Sequence, residues 1–91
     1  MPAPAWRVEF DRAAARDLRK LGTEAERLIL RYLSERIAIA DDPRRFGHAL
    51  TGDSKGLWRY RVGDYRIVAS IEDDRFVVLV VTIGHRREVY R

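Results

Sequence analysis

The sequence predicts an α+β fold of order β-α-α-β-β-β, in which a helical hairpin packs on one face of a small, mostly antiparallel sheet. Three observations predict it. Residues 11–40 carry apolar side chains at three- and four-residue intervals, broken once at Gly22. Residues 56–71, GLWRYRVGDYRIVASI, alternate in character on both sides of Gly63-Asp64. Residues 76–83 form an almost unbroken apolar run rich in valine, the signature of a central strand covered on both faces.

With 91 residues the chain has room for a single domain, residues 1–91. A hydrophobic fraction of 46% argues for a packed globule rather than a disordered tail. There is no cysteine, which excludes disulfides and thiolate metal sites and fits a reducing compartment. Only two histidines, His48 and His85, remain as neutral metal ligands, so neither a metal nor another cofactor is expected. The MPAPAW start lacks the pattern of a signal peptide, and no apolar segment approaches the roughly 20 residues of a membrane span. A cytoplasmic protein with no membrane partner is the expectation. The net charge of +4 favours an anionic partner, and three of the four surplus charges fall after residue 54.

Taken in order, Trp6, Val8 and Phe10 alternate with Arg7 and Glu9 as a first strand. Asp11 caps a helix whose stripe is Ala13, Ala14, Leu18 and Leu21, and Gly22 stops it in a left-handed turn. Thr23 and Glu26 have capping-box spacing at the head of a second helix. Its stripe runs Ala25, Leu28, Ile29, Tyr32, Leu33, Ile37 and Ala40, until Asp41-Asp42-Pro43 closes it. Residues 41–56 are rich in turn formers and read as a loop pinned to the core by Phe46 and Leu50. Arg44, Arg45, His48 and Lys55 lie there and read as solvated, the commoner fate of a charge-rich loop, rather than as an extension of the basic surface.

The central hairpin carries the functional signal. If Gly63-Asp64 is the whole loop, Val62 pairs with Tyr65 and Arg61 stands opposite Arg66, with Arg59 on the same face. Like charges directly opposite each other destabilise an isolated sheet, and a polyanion would relieve them. If Asp73-Asp74 forms the next loop, Glu72 faces Arg75 and Arg66 lies beside Val81. That register puts Trp58, Tyr60, Ile67, Ala69, Ile71, Phe76, Val78 and Val80 beneath the helices. Arg59, Arg61, Arg66, Val68, Leu79 and Val81 then share the open face, which His85 joins if the strand persists past Gly84. Arginines neutralise phosphates, and an aromatic such as Tyr90 can stack a base. Histidine is the ordinary proton carrier near neutral pH.

The DRAAARDLRKL segment at residues 11–21, the WRYRVGDYRIV core at 58–68 and the TIGHRREVY ending at 82–90 resemble the RelE/ParE toxin superfamily, its RelE branch in particular. The resemblance implies a type II toxin that enters the ribosomal A site and cuts mRNA by metal-independent 2′-OH attack. It also implies an acidic, RelB-like antitoxin as the partner, in a hetero-oligomer. By position, it implies catalytic roles for Arg59, Arg66, Arg86 and Tyr90 and a basic RNA contact at Arg61; on residue type, His85 joins the catalytic set and Lys55 and Arg87 the RNA-binding set. Arg59 stands where a family member has a lysine proposed as general base, and Leu57 where a second lysine would lie. The resemblance therefore leaves the base open, with His85 as a candidate. A non-catalytic inhibitor of DNA gyrase of the ParE kind, and a binding module without toxicity, remain the alternatives.

Overall fold

A computed structural model describes residues 5–85. Five strands form one mixed sheet: β1 (Arg7–Phe10), β2 (His48–Ala49), β3 (Trp58–Val62), β4 (Tyr65–Glu72) and β5 (Val77–His85). Their spatial order is β1-β5-β4-β3-β2, antiparallel except for the β1–β5 pair. Two helices, α1 (Arg12–Lys20) and α2 (Thr23–Tyr32), cover one face. The expected class and layer order hold. The added element is β2, which lies inside the segment read as loop.

The helices form for the reasons the sequence suggests, with different ends. Asp11 accepts the Ala14 N–H at 2.8 Å and so satisfies one of the free donors of α1. Gly22, at φ 96°, lets the chain reverse, and it serves as the N-cap of α2 with no side-chain cap bond. Thr23 is already the first helical residue, so the capping box expected of Thr23 and Glu26 does not form. Ala25, Ile29, Leu33 and Ile37 are buried as the stripe predicts, while Leu28 is 44% exposed and leaves it. Beyond Tyr32 one wide turn (Leu33–Ile37) closes with the Ala38 N–H donating to Leu33 O at 2.9 Å. This bond spans five residues rather than four and keeps both Leu33 and Ile37 on the core side.

The core lies between the helices and one sheet face. Tyr60, Val62, Ile67, Ala69, Val78, Val80 and Ile83 meet Ala14, Leu18, Ile29, Leu33 and Ile37 there, with Trp6 at one end. Tyr60 is central and fully buried. Its ring meets Tyr32 edge-on at 6.3 Å, and its hydroxyl donates to Pro43 O at 2.8 Å. Burial pushes the Tyr60 phenol far above its ordinary range, so it stays a donor.

That bond, and not Phe46, anchors the loop; Phe46 is 38% exposed. Gly47 follows against the Tyr60 ring, where an added Cβ would sit 3.0 Å from Cε1 and 3.1 Å from Arg59 O. Arg44 also reaches over Trp58, 5.8 Å from the ring centroid, and forks onto the Asp73 carboxylate. Hydrogen bonding to Arg44 holds the Asp73 carboxyl below its ordinary value of 3.8. A carboxyl lowered in the folded state adds stability that is complete above its unfolded value and lost as pH falls through the folded one. Asp73→Asn should therefore melt below wild type at neutral pH, and the gap should close on acidification below about pH 4. Melting curves across that range test it; a gap independent of pH would assign the effect to something other than this ion pair.

Candidate nucleic-acid interface

The Gly63-Asp64 turn behaves as its residue types require, with Gly63 at φ 59°. Val62 pairs with Tyr65, Arg61 with Arg66, and Arg59 with Val68. The like-charged cross-strand pair is therefore real, and it stands on the face away from the helices.

Arg66 is the buried member, with 8% of its surface exposed. Its Nη1 donates to Tyr65 O at 3.2 Å and, more weakly, to Gly63 O at 3.5 Å, so the hairpin's own carbonyls orient the guanidinium. Gly84 is its partner on β5 and presents no side chain to it. Val68, paired with Thr82, forms the apolar floor beside it. A guanidinium fixed against such a floor meets an anion with little reorganisation and reduced screening by water. Arg59 is half-buried, whereas Arg61 is exposed and also borders an open cleft of about 380 Å³ with Leu28, Tyr32 and Arg36 of the α2 side. The carboxylates at the far end of this face are already engaged. Glu9 binds Arg7 at 3.1 Å and Arg75 at 3.8 Å, and Glu72 binds Arg75 at 2.6 Å.

The register of β5 differs from the expected one. The turn after β4 is Asp73–Arg75 with Phe76 left-handed at φ 52°, so Glu72 pairs with Val77, and Arg75 meets Glu72 within the turn. Phe76 is consequently 58% exposed, resting on Trp6 at 5.2 Å, and is not in the core. A bulge then adds one residue to β5: Ala69 pairs with Val80 but Val68 with Thr82. Val81 is the extra residue, and Arg66 lies beside Gly84 instead of Val81.

The bulge reverses the parity of everything after it. His85 pairs with Tyr65, their rings edge-on at 6.2 Å, and shares the parity of Ile67 and Ile83 on the helix-bearing face. The expectation that His85 continues the arginine face is corrected, because counting by twos along β5 fails at Val81. His48 behaves in the opposite way. It is exposed, and it is the cross-strand partner of Arg59 on the arginine face. Sequence reading left it in a solvated loop, and the only signal for it was a short polar-apolar alternation too brief to identify a strand. Lys55 lies in the exposed turn just before β3. Arg86, Arg87 and Tyr90 fall outside the described residues. Among the described residues no group of three or more His, Cys, Asp or Glu could hold a metal ion, and no helix is long and apolar enough to cross a membrane.

Residues 8–90 match the model for the ParE toxin of type II toxin–antitoxin systems, parDE. The chain belongs to the RelE/ParE toxin superfamily. Within it, the chain is 31% identical over 86 residues to Toxin RelE of Mycobacterium tuberculosis, covering 94% of this chain and 87% of that protein. It is also 31% identical over 90 residues to the mRNA interferase toxin RelE of Escherichia coli K12, covering 94% and 90%. Among solved structures, a chain of the RelBE2 toxin–antitoxin complex from M. tuberculosis superposes with a TM-score of 0.83 at 26% identity, covering 97% of this chain and 98% of that one. The isolated E. coli RelE toxin gives 0.69 at 27% identity, covering 94% and 92%. This RelE-like toxin of a type II system thus has the family's fold along nearly its whole length.

Proposed function

We propose that this toxin is a ribosome-dependent mRNA endonuclease that cleaves in the A site by attack of a ribose 2′-OH on the adjacent phosphate. What carries the reading is the pair of cross-strand arginines, Arg61 and Arg66, beside Arg59 on one sheet face of a chain so similar to an mRNA interferase. In the transition state the phosphate gains charge on its equatorial oxygens. Arg66, oriented by two backbone carbonyls, donates to those oxygens; Arg59 adds positive charge and Arg61 holds the flanking backbone. Lys55, Arg86 and Arg87 extend the same binding, and Tyr90 stacks on the substrate nucleotide. Proton transfer requires a base for the 2′-OH, and an arginine is a very poor one. His85 stays in the proposed set as a proton carrier by residue type, although its position on β5 faces the helix-bearing side. Side chains supply charge and proton transfer, so no metal is needed.

A cognate acidic antitoxin of the RelB kind is the proposed partner, forming a hetero-oligomer that covers the basic face, since toxins of similar fold occur in complexes with RelB. A toxin of this kind acts in the cytoplasm, where ribosomes are.

The test is primer extension on mRNA translated by purified ribosomes with the purified toxin. Cuts within the A-site codon are expected, and none on naked mRNA. The match to the ParE model favours one second reading, a non-catalytic gyrase inhibitor. Inhibited supercoiling with mRNA left intact would establish that reading in place of the nuclease.

A further inference from the structure

We propose that His48, carried by the two-residue strand β2, is the general base that takes the 2′-OH proton. The inference rests on the nuclease reading and deepens it. The chain has two histidines, and the β5 bulge turns His85 toward Tyr65 and the helix-bearing face. His48 is aligned directly with Arg59 on the phosphate face. Cross-strand partners of this kind have Cβ atoms about 4.5–5.5 Å apart, so imidazole and guanidinium are neighbours. Arg66 is two strands further in. At about 4.8 Å between strands and 3.3 Å per residue, its backbone lies roughly 12 Å from that of His48, a gap that two side chains and a phosphodiester can fill.

The position is built rather than incidental. The Tyr60 hydroxyl fixes Pro43, Gly47 packs against the Tyr60 ring where a side chain would crowd it, and the Leu50 N–H donates to Leu57 O at 2.9 Å. His48 is thereby held between two attachments while its ring stays open to solvent. Facing it from the neighbouring strands are Arg59 and Arg61 of β3 and Arg66 of β4; Arg44, Arg45, Asp53 and Lys55 flank it in the chain.

In the step assigned to it, neutral His48 accepts the 2′-OH proton as the 2′ oxygen bonds to phosphorus. The bond from phosphorus to the 5′ oxygen breaks. The leaving oxygen takes a proton from water, and the imidazolium returns its own to solvent. The products are a 2′,3′-cyclic phosphate and a 5′-hydroxyl.

The experiment compares wild type, His48→Gln and His85→Gln in single-turnover cleavage of ribosome-bound mRNA between about pH 5 and 9. For His48→Gln the rate constant should fall by about 10²–10⁴ and the acid limb of the wild-type profile should vanish. Its melting temperature and its affinity for the programmed ribosome should stay at wild-type values. Wild-type cleavage with an unchanged acid limb in His48→Gln overturns the proposal. So does loss confined to KM, which would make His48 a phosphate contact. Loss of the acid limb in His85→Gln alone makes His85 the base. If wild type itself leaves mRNA intact on ribosomes, the nuclease reading fails and His48 loses its role with it.

Discussion

Arg66→Ala is expected to lower cleavage of ribosome-bound mRNA by about 10²–10³ or more, since it deletes the donor best fixed against the developing phosphorane charge. The protein should remain folded. The residue is 8% exposed, but the bonds it makes in the hairpin are to carbonyls of Gly63 and Tyr65 at a turn, where water can replace the guanidinium. A stability cost of about 1–2 kcal/mol is expected, read as a modest fall in melting temperature. Arg66→Lys should cleave at an intermediate rate, because an ammonium keeps the charge and loses the planar fork. Full activity in Arg66→Ala would remove Arg66 from the phosphate site.

The largest stability effect belongs to Tyr60. Tyr60→Ala should cost about 3–5 kcal/mol, through lost burial and a cavity facing Tyr32. For a domain of this size that is a fall of roughly 15–30 °C in melting temperature. Tyr60→Phe isolates the hydroxyl: with Pro43 O left without its donor, about 1–3 kcal/mol should be lost. It should also loosen β2, so that amides of residues 47–50 exchange faster than those of β4 and β5. Phe behaving like Tyr on both measures would mean that Gly47 and Arg44 hold the loop without the hydroxyl.

How far the sequence could be read depended on how local each determinant is. The helices, the Gly63-Asp64 turn and the Arg61–Arg66 pairing follow from periodicity and from a glycine at a position needing positive φ, and both signals lie within a few residues of what they specify. The face of β5 does not. It depends on Phe76 adopting a left-handed conformation and on the extra residue at Val81, neither of which has a mark in a run of valines. His85 was misplaced for that reason. His48 was missed because β2 exists only through distant partners, the Tyr60 hydroxyl and the edge of β3. The candidate site was thus legible in its arginines, which lie in one hairpin, and not in its histidines, which reach the sheet through a loop and a bulge.

The parallel β1–β5 ladder also has a kinetic side. β3, β4 and β5 are joined by short turns and can assemble as a meander from local contacts. Arg7 finds Val77 only after the intervening helices and strands have been gathered in, the loop closure of greatest entropy cost in this topology. By that argument β1 is the strand whose joining costs most, and as one of the sheet's two edges it is held to a single neighbour. The arginine hairpin sits on the opposite side of β5 and is not broken when β1 detaches, so partial opening at that edge leaves the phosphate-binding face assembled.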